Sequence, residues 1–161
     1  MSKESNSICY LNGRYLPLSD ATISVLDRGF IFSDSVYEVV PAPNRELFLF
    51  EQHLTRLDHS LRKIGIKNPI SHEGWTEIAA TILRATGEGN WSLYIQISRG
   101  VALRAHWVEQ DSVPTVFAMC QELEASHRLQ SVKAITTSDN RWGRCDIKST
   151  GLLPNVLAKR E

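Results

Sequence analysis

One lysine of this chain stands where it could do covalent chemistry. Lys148 lies between a polar, turn-prone run and a short apolar helix. An amine held at the edge of a fold can form a Schiff base with an aldehyde when burial or a neighbouring cation such as Arg144 keeps it neutral. On an ordinary surface, a lysine near Asp146 would be only a solvated charge. If Asp146 pointed at the amine, it would favour the charged form of the lysine. For a reactive lysine we therefore expect Asp146 to face Arg141 or Arg144 instead.

Arg56 is a candidate for binding an anion. It lies three residues after His53 on the flank of an apolar helical stripe, where a long cation can reach past the helix into a cleft. A guanidinium group offers several donors in a fixed fork, which suits an anionic ligand. Periodicity alone fits equally well an arginine that extends from an amphipathic helix into solvent.

Arg104 and His106 could bind one carboxylate together. In an extended loop, residues two apart point the same way, so both side chains can reach the same group. Such a tripeptide is common on loops and is weak evidence by itself. Tyr37 lies in a β-prone run, where composition alone favours a core aromatic over a ligand contact.

Short β-prone runs predict the strands that must position these residues. Ile8–Leu16 is predicted to be a hairpin, because Asn12-Gly13 favours a tight type I′ turn. Leu93, Ile95 and Ile97 alternate with polar residues, which predicts a half-buried strand over Trp91–Arg99. The other predicted strands are Val36–Pro41 and Leu47–Phe50, paired around Pro43-Asn44-Arg45, and then Thr115–Cys120 and Val132–Thr137.

Helical periodicity predicts three helices. The first covers Phe50–Ile64 and ends at Gly65; its apolar stripe is Phe50, Leu54, Leu57, Leu61 and Ile64. The second covers His72–Thr86, with Ser71 as its N-cap and Gly87 beyond its end; its stripe is Trp75, Ile78, Ile82 and Leu83. The third covers Leu152–Lys159.

Strands and helices mix without a regular strand-helix-strand alternation, so the predicted class is α+β. We predict an N-terminal α+β domain over residues 1–120, a polar connector over 121–130 and the beginning of a second domain over 131–161. The last helix has an apolar stripe and no closing glycine, asparagine or proline. We interpret the chain as truncated in its second domain, and we expect the exposed stripe to make the chain self-associate.

The composition is that of a soluble globular protein, with 42% hydrophobic and 22% charged residues. Eighteen basic and eighteen acidic residues cancel, which argues against nucleic acid or an anionic membrane as a partner. Three widely spaced cysteines predict reduced thiols and a cytoplasmic location. His53 and His59 fall on different helix faces, and we expect no metal site.

Four segments together resemble the fold-type-IV pyridoxal-phosphate-dependent aminotransferases, and most closely the D-amino-acid (D-alanine) transaminase branch. They are Leu26–Phe30 with Asp34–Glu38, Glu51–Leu57, Tyr94–Gly100 with Arg104-Ala105-His106, and Arg141–Leu153. The resemblance implies an N-terminal antiparallel sheet with two helices, followed by the start of a cofactor-binding domain. It also implies a homodimer and transfer of an amino group between a D-amino acid and a 2-oxo acid.

The resemblance also implies roles for individual residues. Lys148 would form the Schiff base with pyridoxal 5′-phosphate and move the proton of the substrate α-carbon, and Arg56 would bind the cofactor phosphate. Tyr37, Arg104 and His106 would contact the substrate, the last two across a dimer interface. Ser33 and Ser35 depart from the family pattern, in which glycines are usual there, and would strain a turn that needs positive φ.

Two alternatives remain open at this point. The chain could be a non-catalytic fragment of such an enzyme, because the family takes its pyridine-nitrogen carboxylate and phosphate-binding amides from a region after the lysine segment. It could also be a branched-chain L-amino-acid transaminase or an aminodeoxychorismate lyase, which share the fold but are not expected to carry the Arg104 and His106 pair.

Overall fold

The computed structural model describes residues 7–107, 112–123, 134–136, 138–139 and 141–160. In these ranges five strands form one antiparallel sheet in the order β2-β1-β5-β4-β3. The strands are β1 (Ile8–Leu11), β2 (Arg14–Pro17), β3 (Ser35–Ala42), β4 (Trp91–Ser98) and β5 (Thr115–Glu122). The helices are α1 (Arg28–Phe32), α2 (Phe50–Lys63), α3 (His72–Arg84) and α4 (Leu153–Ala158). The predicted α+β class is confirmed.

The predicted N-terminal hairpin is present. β1 and β2 pair antiparallel with Tyr10 opposite Tyr15, and Asn12 and Gly13 both have positive φ, at 48° and 88°. These are the angles that a tight turn of the predicted type requires, and the asparagine and glycine adopt them at little cost. Local sequence therefore determines this hairpin.

Helices α2 and α3 cover one face of the sheet. Their apolar stripes lie against the alternate residues of the strands and form a single core; its largest fully buried members are Trp75, Leu54, Leu57, Leu61, Ile82, Leu93, Ile95 and Ile97. Ser71 caps α3 by accepting a hydrogen bond from the Gly74 amide. Both helices were predicted, with the C-terminal end of α3 placed two residues too late.

The predicted strand over Leu47–Phe50 is wrong. Pro43–Arg45 forms a 3₁₀ turn, and Phe48 donates a single backbone hydrogen bond of 2.8 Å to Pro41. Pro41 has no N–H to donate in return, so a ladder cannot continue from it. Leu49 takes a positive φ of 51°, and α2 begins at the next residue. β3 pairs instead with β4 along its whole length.

Sheet pairing also extends β5. Gln121 and Glu122, the first two residues of the predicted connector, pair with Ser92 and Trp91 of β4. Residues 124–130 lie outside the described residues. So does half of the predicted strand over Val132–Thr137, whose described part, 134–136, has no regular secondary structure. In the described part of the chain, none of the helices has the length and apolar character needed to cross a bilayer.

Candidate active site

The segment that contains Lys148 runs along the free edge of β3. The Tyr37 amide donates to the Lys148 carbonyl at 3.0 Å, and the Thr150 amide donates to the Ser35 carbonyl at 3.2 Å. Ile147, the residue before Lys148, is 5% exposed and packs into the core. A buried anchor and two backbone hydrogen bonds therefore hold Lys148 in place at the edge of the sheet.

The Lys148 amine lies over an aromatic ring. Its Nζ is 4.1 Å from the centroid of Tyr37, which in turn stacks on Tyr94 with 5.8 Å between ring centroids. The Tyr94 hydroxyl donates to Gln96 at 2.7 Å, and burial raises the pKa of Tyr94 to about 12. Tyr94 therefore stays protonated at neutral pH and presents a fixed, uncharged wall behind Tyr37.

Asp146 pairs with Arg144, one of the two partners predicted for it. Its two carboxylate oxygens accept hydrogen bonds from Arg144 at 3.0 and 3.2 Å. Arg141 bonds instead to Asp139, at 3.0 and 2.8 Å. The nearest carboxylate in sequence is thus engaged by a guanidinium group, and Lys148 is left facing Tyr37.

Arg56 is clamped by a buried carboxylate that the sequence analysis did not single out. Glu38 is fully buried on the helix-covered face of β3, and it accepts from Arg56 Nε and Nη2 at 2.6 Å each. His53 Nδ1 lies 2.8 Å from the same carboxylate. The hydrogen bonds to Glu38 raise the pKa of Arg56, which is a permanent cation in any case.

Tyr37, Arg56 and Lys148 meet at one cavity of about 360 Å³. Tyr37 and Glu38 point to opposite faces of β3, so Arg56 reaches the cavity from the α2 side of the edge strand while Tyr37 reaches it from the other face. The volume suits a small-molecule ligand. Three of the five predicted site residues are therefore together.

The donors around this cavity fit a ligand that carries an aldehyde and a phosphate. Lys148 supplies an amine, and Arg56 supplies a half-exposed guanidinium group in which Nη1 has no hydrogen-bond partner among the described residues. Nε and Nη2 are committed to Glu38, which fixes the plane of the group. An amine suits the aldehyde of pyridoxal phosphate, and a pre-oriented cation with a free N–H suits its phosphate.

Arg104 and His106 lie outside the Lys148 cavity. Both are exposed and lie against Phe32, with 5.4 Å from Arg104 Cζ to the ring centroid and 5.6 Å between the His106 and Phe32 rings. His106 lines a second cavity of about 570 Å³, which shares Trp142, Ser149 and Gly151 with the Lys148 cavity as walls. The two side chains point the same way, as predicted, but neither lines the Lys148 cavity.

The two serines that depart from the family pattern behave differently. Ser33 ends α1 with a φ of 55°, in the left-handed region that favours glycine, so the strain predicted there is present. Ser35 is extended in β3 and pairs with Ser98, and its hydroxyl bonds that of Thr150. The second serine therefore carries no backbone strain and instead ties the lysine segment to β3.

Comparison with known proteins places this site in a family. A family model described as amino-transferase class IV matches residues 35–161, which include Tyr37, Arg56, Arg104, His106 and Lys148. The chain belongs to the class IV aminotransferases. It is 37% identical over 153 residues to a D-alanine aminotransferase from Staphylococcus epidermidis, covering 93% of this chain and 54% of that protein. This chain thus spans about half the length of the curated relatives it matches.

Solved structures of other proteins show the same fold. A branched-chain aminotransferase from Thermoproteus uzoniensis, solved with norvaline, matches 95% of this chain and 55% of its own, with a TM-score of 0.84 and 21% identity. A hypothetical aminotransferase from Mycobacterium tuberculosis in its PLP-bound form matches 73% of this chain and 40% of its own, with a TM-score of 0.61 and 21% identity. At such identities these class IV aminotransferases share the fold with this chain.

Of the site residues that the sequence analysis missed, only Glu38 could have been found from the sequence pattern. Val36, Glu38, Val40 and Ala42 occupy the inward positions of β3, and Glu38 is the only charged residue among them. A carboxylate at a position that alternation assigns to the core must be paired, which points to a cation on the covering helix. Phe32 and Tyr94 gave no comparable signal, because their contacts depend on how distant segments pack.

Proposed function

We propose that this protein transfers an amino group between a D-amino acid, with D-alanine as the model substrate, and a 2-oxo acid. The observation that carries the proposal is the cavity in which the Lys148 amine faces Tyr37 and a clamped Arg56. The presence of the Arg104 and His106 pair, both packed on Phe32, and the similarity to D-alanine aminotransferases support the D-amino acid as substrate.

Pyridoxal 5′-phosphate is the proposed cofactor, with its aldehyde at Lys148 and its phosphate at Arg56. When bound, it supplies an electron sink for the electron pair of the substrate Cα–H bond. The amine of Lys148 takes and returns the α-proton, and the pairing of Asp146 with Arg144 leaves that amine free of this carboxylate. Arg56 binds two negative charges in a plane that Glu38 sets.

Recognition of the substrate carboxylate is proposed for Arg104 and His106, with the Tyr37 hydroxyl as a further donor. A carboxylate prefers a guanidinium fork with a second donor close by. Both side chains already lie on the same ring, that of Phe32, so little ordering is needed when the substrate binds.

A second copy of this chain is the proposed partner. Large apolar side chains are exposed on α4 and on the loop after β4; they include Leu103, Trp107 and Leu153 at 82%, 84% and 68% exposure. Apolar groups in such number favour association. The cytosol is the proposed location, since Cys9, Cys120 and Cys145 are all free thiols. Sedimentation at micromolar concentration should give a dimer, and a compact monomer would contradict this.

Borohydride reduction in the presence of pyridoxal phosphate tests the site. We expect visible absorbance before reduction and, after peptide mapping, a label on Lys148. Lys159, an exposed lysine on the C-terminal side, serves as the internal control. A label on Lys159 or Lys133 would refute the assignment, and a colourless preparation would favour the fragment hypothesis. Turnover of L-leucine but not D-alanine would refute the proposed substrate.

A further inference from the structure

A buried arginine outside the Lys148 cavity holds the loop that carries Arg104 and His106. Arg28, in α1, is 5% exposed, and its Nη1 donates to the Ala105 carbonyl at 2.6 Å. Its backbone amide also donates to the Gly100 carbonyl at 2.9 Å. One residue thus fixes both the start of the loop and the peptide between the two proposed carboxylate ligands.

Arg28 is itself held by Asp34. Its Nε donates to Asp34 at 2.8 Å, and Arg99 donates to the same carboxylate at 2.7 and 3.0 Å. Burial pushes the pKa of Asp34 up, but the hydrogen bonds from Arg99 and Arg28 outweigh it and keep the pKa below its usual value. Asp34 therefore binds two guanidinium groups and holds the Arg28 side chain in place behind the loop.

Arg28, Arg104 and His106 all pack against the ring of Phe32. The guanidinium carbons of Arg28 and Arg104 lie 4.8 and 5.4 Å from its centroid, and the His106 ring meets it edge-on. These contacts orient the long side chain of Arg104, while the hydrogen bond from Arg28 to Ala105 orients the backbone from which it projects.

We infer that Arg28 is a positioning residue for substrate binding: it sets the orientation of Arg104 and His106 through the Ala105 carbonyl, with Asp34 as its support. The inference rests on the proposed function, because it takes those two residues as the ligands of the substrate carboxylate. Arg28 does not line the Lys148 cavity, so we expect its substitution to change KM rather than the proton transfer at Lys148.

The test is Arg28→Lys, which keeps the charge but cannot bond Asp34 and Ala105 through one planar fork. We expect the KM for D-alanine to rise about tenfold while kcat changes less than about threefold. Amide hydrogen exchange of residues 100–107 should accelerate in the same variant without substrate. Arg14→Lys, at an exposed position of β2, should change neither quantity.

Phe32→Leu provides a second variant in case Arg28→Lys folds poorly. It leaves the bond from Arg28 to Ala105 in place, so we expect a rise in KM without faster exchange of the loop. Unchanged loop exchange in a folded Arg28→Lys variant, or faster exchange with an unchanged KM, would overturn the inference. A wild-type protein that turns over no D-alanine, with loop exchange responding as expected, would instead count against the proposed function and support Arg28 as the anchor of the loop.

Discussion

The Glu38→Gln substitution tests how Arg56, the proposed phosphate ligand, is held. Glu38 is fully buried, and three nitrogens lie within 2.8 Å of its carboxylate, two of them from Arg56. Glutamine keeps the volume but removes the charge and turns an amide N–H₂ toward an Arg56 N–H. One charge-assisted hydrogen bond and the ion pair are lost together.

The expected loss of stability in Glu38→Gln follows from the burial of Glu38 and of Arg56. A hydrogen bond to a charged group contributes about 1.5–3 kcal/mol, and breaking a fully buried ion pair costs about 3–5 kcal/mol. The Arg56 side chain is 51% exposed, so water takes up part of its charge and the cost falls toward the lower range. We expect the free energy of unfolding to fall by about 2 kcal/mol and the Kd for pyridoxal phosphate to rise about tenfold.

Two measurements separate these effects. Urea unfolding reports stability, and titration with pyridoxal phosphate and with pyridoxal reports the contribution of the phosphate. Glu38→Gln should weaken pyridoxal phosphate and leave pyridoxal nearly unchanged, and Glu77→Gln, an exposed change on α3, should leave both unchanged. Equal weakening of both ligands would show that Glu38 shapes the cavity but does not orient Arg56 toward a phosphate.

Three further predictions concern other parts of the molecule. Arg104→Ala and His106→Ala should each lower kcat/KM for D-alanine by about 2 kcal/mol in free-energy terms, and full activity in both variants would refute the carboxylate pair. Gly100→Ala should destabilise the fold by about 2 kcal/mol or more in urea unfolding, because φ is +95° and a Cβ would overlap the Val113 carbonyl oxygen; unchanged stability would show that the loop can move freely. The hydrogen bond with Asp58 raises the pKa of His72, so its stabilising contribution is present below about pH 6.5 and is lost as the pH rises through the raised value. Unfolding between pH 6 and 8 should therefore lose less stability in His72→Gln than in the wild type, and equal losses would refute the coupling.

Local rules account for most of the secondary structure. The stripe of α2 and the Ser71 cap of α3 were readable because burial on one face imposes a 3.6-residue period and because a cap needs one side-chain oxygen at one position. The Asn12-Gly13 turn was readable for a similar reason. The strand predicted over Leu47–Phe50 failed because β propensity does not say which partner a strand pairs with, and β3 pairs with β4 along its whole length.

The family match and the residue types of the site came from short segments, whereas their arrangement came from packing. Lys148, Arg56 and Tyr37 are up to 111 positions apart by their numbers, and they meet because the lysine segment lies along the free edge of β3. Glu38 and Arg28 show the same division. Arg28 reads as an ordinary charged residue in the sequence, and the strand pattern shows only that Glu38 needs a partner; the partner itself lies on a distant element in both cases.

The chain of residues from 1 to 161 therefore determined which groups can react, which segments become helices and hairpins, and which family the protein resembles. Those properties depend on near neighbours, through backbone angles, side-chain periodicity and capping. The folded molecule alone decided that Arg56 is clamped by Glu38 and that Arg28 holds the Ala105 carbonyl. Hydrogen bonds act over about 3 Å, so these two contacts exist only once the sheet and helices have brought residues that are distant in sequence to that separation.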